Sequence, residues 1–97
     1  LEYYNKALAI VEKVLGTEPP STATTYLNIA SLYHGQGKNQ DALTLLKKAF
    51  IIYNNKLGFN HPDTKNIVSW IKGVAQASRR DGAQLIKRWR KEKLSGK

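Results

Sequence analysis

The sequence predicts an all-α fold, an antiparallel stack of helix hairpins with about five helices in its 97 residues. Three observations predict it. The chain resembles itself at an offset of 42 residues, its apolar residues recur at three- and four-residue steps, and glycine or proline punctuates each periodic stretch. No strand is predicted, and every connection is short.

The repeat shows when YNKALAIVEKVLGTEPPST (4–22) is laid on LKKAFIIYNNKLGFNHPDT (46–64). Lys6 then meets Lys48, Ala7 meets Ala49, and Ile10 meets Ile52. Leu15-Gly16 meets Leu57-Gly58, Pro20 meets Pro62, and Thr22 meets Thr64. The shared letters are helix-face residues, a helix-ending glycine and a helix-starting proline, so architecture repeats rather than chemistry.

The first helix is predicted over 1–15 and ends at Gly16, with Pro19-Pro20 leading the next, over 20–34. Gly35-Gln36-Gly37-Lys38 is a tight turn. In 39–57, Ala42, Leu45, Leu46, Ala49, Phe50, Tyr53 and Leu57 form one apolar face. Gly58 follows as a stop, because glycine tolerates the left-handed conformation at a helix end. Pro62 suits the first turn of a fourth helix, 62–77, where no N–H is needed. Asp63 and Thr64 are expected to offer a carboxylate and a hydroxyl to the orphan N–H groups there. A weaker helix is predicted over 81–94. Residues 1–78 thus form a repeat region (half a unit in 1–15, a full one in 20–57, the start of a degenerate one in 62–77). Residues 79–97 form a basic capping helix and tail.

Composition narrows the function. The net charge is +9, with eight Lys/Arg and two Asp/Glu (+6) in residues 79–97 against eight and five (+3) in residues 1–78. Cysteine is absent, which removes disulfides and thiolate metal sites. Methionine is absent too, so the chain reads as a piece of something longer. No apolar run approaches the roughly 20 residues of a membrane span, no leader opens the chain, and a cytoplasmic location is expected. His34 and His61 are the only histidines, and the seven acids show neither acid/base pairing nor metal-ligand spacing. The sequence therefore predicts no enzyme, no cofactor and no metal.

Tyr26, Ile29, Ala30, Tyr33, Ala42, Leu46 and Ala49 have the spacing of the tetratricopeptide signature, and the chain resembles that family. Its small residues let two helices approach while Tyr26, Tyr33 and Leu46 fill the gaps. The longer unit, with ALAIVEKVLG and AFIIYNNKLG ending second helices and YLNIASLYHGQGKNQDAL a first helix and turn, resembles the kinesin light chain form. The resemblance covers residues 1–64 well, reaches about 77, and fails beyond. Lys72 stands where Ala30 would repeat, Ala75 where Tyr33 would, and Ala83 matches Ala42 only if one residue is dropped.

The resemblance implies a right-handed solenoid that binds a protein or peptide partner along its inner face. It places Thr24, Leu27, Asn28, Ser31 and His34 there, with Asn66, Ser69, Gln76 and Trp70 from the next unit. The competing reading is a merely solvated face. Asn28 matches a residue common in the kinesin light chain form, whereas Leu27 replaces its second Asn. Leu27, Ser31 and Asn66 also lack the clamp of members that bind chaperone tails. His61-Pro62-Asp63 is the tripeptide of J-domain co-chaperones, but there a basic helix runs directly into it. Here Leu57-Gly58 intervenes and Glu18-Pro19-Pro20-Ser21 occupies the same place one unit earlier, so the tripeptide is linker and cap and His61 is incidental.

Two further partner classes follow from the residues. Arg79, Arg80, Lys87, Arg88, Arg90, Lys91 and Lys93 crowd around an apolar strip of Leu85, Ile86 and Trp89. That pattern suits either a cap with a solvated basic side or an anchor for nucleic acid, acidic protein or anionic membrane. Helix 1–15, lacking its own first helix, presents an apolar face expected to be covered by self-association, crystal neighbours or an absent repeat.

Overall fold

The structure, a computed structural model, describes residues 20–92 and, before them, Lys6, Ile10 and Lys13. Those three are helical and exposed; the rest of helix 1–15, whose apolar face is expected to self-associate, lies outside the described residues, as does Lys93. Four helices follow in order: α1 (Pro20–Gly35), α2 (Asn39–Lys56), α3 (Pro62–Ala77) and α4 (Gly82–Trp89). No strand occurs among the described residues. Each helix packs on the next, and α4 also touches α2.

Both hairpins are antiparallel. At one end of the first, Thr24 Oγ1 lies 2.7 Å from Tyr53 Oη; at the other, His34 Nδ1 lies 2.9 Å from Asn39 Oδ1. Between them the signature residues do the packing their sizes suggest: Ala30, Ala42 and Ala49 are buried, with Tyr26, Tyr33 and Leu46 around them. Ile67, Ile71, Val74 and Ala75 of α3 extend the same core, and Leu85, Ile86 and Trp89 of α4 close it.

The helix ends explain themselves through backbone geometry. Gly37 adopts φ +78, so Lys38 N–H donates to Tyr33 O at 2.8 Å and Gly37 N–H to His34 O at 3.0 Å. Those paired bonds satisfy carbonyls that the last turn leaves open. Gly58, at φ +93, ends α2. The third turn has Arg79 in that place at φ 60, with Arg80 N–H on Ala75 O at 2.7 Å. A side-chain-bearing residue there costs on the order of 1 kcal/mol that glycine avoids.

Three local expectations need correcting. His61 is not incidental: it is the N-cap of α3, its Nδ1 accepting the Asp63 N–H at 3.1 Å. Thr64 does not serve that end, because its hydroxyl is fully buried and has no hydrogen-bond partner. The last helix stops at Trp89 rather than near 94, and the reason lies across the fold. Asn54 Nδ2 donates to Arg90 O at 3.3 Å, and Asn55 Nδ2 donates to Glu92 O at 3.1 Å. Side chains of α2 thus bond carbonyls just beyond the helix end, and Lys47 adds an ion pair to Glu92 at 3.3 Å.

The register of α4 also differs from the sequence expectation. Ala83 is exposed, whereas Gly82, Leu85, Ile86 and Trp89 are buried. They match buried Ala42, Leu45, Leu46 and Ala49 at an offset of 40, two fewer than in the first helices. Gly37 and Arg79, the positive-φ residues of the two turns, still stand 42 apart, so the two residues are lost after the turn, at the start of α4, and the small residue has shifted with them.

Candidate functional site

An open groove of about 290 Å³ runs between the last turn of α1 and the exposed side of α3 that carries Asn66 and Trp70. His34 supplies one wall. Asn66, Ser69, Trp70 and Gly73 supply the other, because steps of three, one and three residues keep them on one side of a helix. Val74 lies at its base. His34 meets the Trp70 ring edge-on, centroids 6.3 Å apart and planes at 90°. Its Nδ1 lies 2.9 Å from Asn39 Oδ1, which holds the ring in place. Gly73 has open space around its Cα, which widens the groove.

No charged residue lines this groove. An amide, a hydroxyl and an imidazole nitrogen offer donors and acceptors beside a partly buried indole. That set suits hydrogen bonding to a peptide backbone with one side chain laid on Trp70.

Of the inner-face residues the sequence proposes, His34, Asn66, Ser69 and Trp70 come together here. The others lie elsewhere. Thr24 and Asn28 are exposed, the first sharing its hydroxyl with Tyr53 and the second lending its carbonyl to Ser31 Oγ at 2.7 Å. Leu27 packs partly into the core, and Gln76 is exposed outside the groove lining. Sequence reasoning missed Gly73 and Asn39. Gly73 could have been found by continuing the Asn66–Trp70 register one turn. Asn39 could have been found by closing the four-residue turn that sets the end of α1 beside the start of α2.

The basic residues divide as well. Arg79, Arg80, Lys87, Arg88 and Lys91 are exposed. Arg90 is engaged, its guanidinium 3.7 Å above the centre of the Phe59 ring. Among the described residues no cluster of His, Cys, Asp and Glu could hold a metal ion, and no helix is long and apolar enough to cross a membrane.

The sequence profile of the tetratricopeptide repeat matches residues 1–65, the stretch that contains the complete first hairpin. The chain belongs to the tetratricopeptide repeat family. Tetratricopeptide repeats generally mediate protein–protein interaction and are typically non-catalytic. Similar curated proteins are the clustered mitochondria protein homologs of Aspergillus niger, Emericella nidulans and Aspergillus fumigatus. Each is 33% identical over 64 residues, 66% of this chain. The chain spans about 5% of the length of these relatives. The kinesin light chain form remains a resemblance carried by the 42-residue spacing.

Proposed function

We propose that the chain is a non-catalytic interaction scaffold that holds an extended peptide of a partner protein in the groove between α1 and α3. The observation that carries this reading is the convergence of His34, Asn66, Ser69 and Trp70 from two different helices on one uncharged groove. Exposed amides and hydroxyls there satisfy a peptide backbone, and Trp70 adds apolar contact without a charge requirement. The reading is narrower than the full inner face: Asn28, Ser31 and Gln76 are peripheral, Thr24 is engaged by Tyr53 Oη, and Leu27 packs partly into the core. We place the scaffold in the cytoplasm, in company with the organelle named in its relatives.

Peptides selected from a random library against the 97-residue chain supply the probe. Asn66→Ala and Trp70→Ala should each weaken the selected peptides by about tenfold, the loss of one good contact of about 1.4 kcal/mol. Asn28→Ala should change affinity little. Peptides that bind both groove variants as tightly as the parent chain would end this proposal.

A further inference from the structure

A second groove, of about 180 Å³, lies on the opposite hairpin between α3 and α4. Val68, Ala83 and Ile86 make its floor, and the Phe59 ring flanks it. Lys72, Lys87 and Arg90 are its other lining residues, and no carboxylate lines it. The repeat gives these positions a meaning. Offsets of 42 on the first helix and 40 on the second carry Tyr26, Ala30, Leu43, Leu46 and Phe50 onto Val68, Lys72, Ala83, Ile86 and Arg90. All five residues of the first hairpin are buried, whereas in the second only Ile86 is. Positions that stacking covers in one unit are open in the next, and two of them have become cationic.

A further apolar repeat helix is a poor occupant. It would bury the Lys72 amine without a partner, and an unpaired buried charge is strongly disfavoured. Lys72 and Lys87 make no ion pair among the described residues. Arg90 is fixed, its guanidinium on Phe59 and its carbonyl bonded by Asn54. Three cations, one of them preset, around a floor the size of about one large side chain call for an occupant with the complementary pattern.

We propose that this α3–α4 face docks an acidic segment of a partner protein, one apolar side chain entering the floor and flanking carboxylates meeting Lys72, Lys87 and Arg90. The site is independent of the groove at Trp70, and its ligand differs in charge.

The test uses the 97-residue chain, labelled with nitrogen-15, and a short acetylated peptide with a central leucine between glutamates. Amide shifts at Val68, Ala83, Ile86 and Lys87, with affinity that falls as salt rises, are expected. The double variant Lys72→Glu/Lys87→Glu should bind at least about tenfold more weakly, as should the parent chain with a Leu→Ser peptide. Should charge reversal unfold the chain, Lys72→Ser/Lys87→Ser provides the same comparison. Shifts confined to the Trp70 groove, or equal binding by the variants, would overturn the proposal. So would equal affinity for an all-glutamate peptide, an RNA oligonucleotide or anionic vesicles, which would reduce the face to a site for any polyanion.

Discussion

Gly82 is where the second hairpin is tightest. A Cβ placed on it would stand 2.8 Å from Lys72 Cα, 3.2 Å from Lys72 Cγ and 3.4 Å from Ala75 Cβ. The lysine side chain can swing aside, but the Cα belongs to α3 and yields only if the helix moves. Restoring ordinary contact needs a separation of roughly half an ångström, which loosens Leu85 and Ile86 as well. Overpacking of this kind costs about 1–3 kcal/mol, against about 0.5–1 kcal/mol gained from replacing glycine in a helix. Gly82→Ala should therefore destabilise by about 1–2 kcal/mol, lowering Tm by roughly 4–8 °C per kcal/mol. Gly73 is the control. It lies inside α3 with nothing within 4 Å of the added Cβ, so Gly73→Ala should stabilise by about 1 kcal/mol. Guanidinium melts followed by far-ultraviolet circular dichroism give both signs. Hydrogen exchange at Leu85 and Ile86 separates undocking of α4 from global unfolding. A neutral or stabilising Gly82→Ala would refute the close approach.

Three other perturbations have definite signs. Arg79→Gly should stabilise by about 0.5–1 kcal/mol in the same melts, since φ 60 is unfavourable for a residue with a Cβ. Thr64→Val should be neutral or stabilising by up to about 1 kcal/mol, because it removes a buried hydroxyl that bonds to nothing; a clear loss would show a partner for Thr64 Oγ1. His61→Ala should cost about 0.5–1 kcal/mol by uncapping α3, with Asp63→Ala costing less, and the reverse order would restore the sequence-based view of that cap.

The first three described helices were legible because their boundaries are written in backbone chemistry. Pro20 and Pro62 can only begin a helix, and Gly37 and Gly58 supply the positive φ that ends one. Leu85, Ile86 and Trp89 were also readable as a buried face, since three- and four-residue steps survive any change of register. What escaped was the register itself. Arg79 ends α3 without announcing it as glycine would, and two residues lost between that turn and the buried face of α4 shift every equivalence on that face. A single sequence carries no mark of that deletion; burial of Gly82 in place of Ala83 reveals it. The candidate groove was half legible for a related reason. The repeat signature says which side of a helix faces inward, but not whether a polar atom is already spent. Thr24 looks like Asn66 by register, yet its hydroxyl is 2.7 Å from Tyr53 Oη.

The misplaced small residue also accounts for the lysine that breaks the signature. In the first hairpin both corresponding positions are small and buried, Ala30 on one helix and Ala42 on the other. In the second, the helix contact is made by a residue with no side chain, Gly82, directly against the Lys72 backbone. Close packing then no longer needs a small residue at position 72. The lysine side chain is free to lie on the exposed flank, where it borders the floor of Val68, Ala83 and Ile86. Glycine on α4 and lysine on α3 are thus two halves of one exchange. Alanine at position 72 removes a cation from that flank and leaves the contact of Gly82 with the α3 backbone as it is. Lys72→Ala alone should therefore leave the fold intact while weakening the acidic peptide, which is the separation between packing and charge that the two roles require.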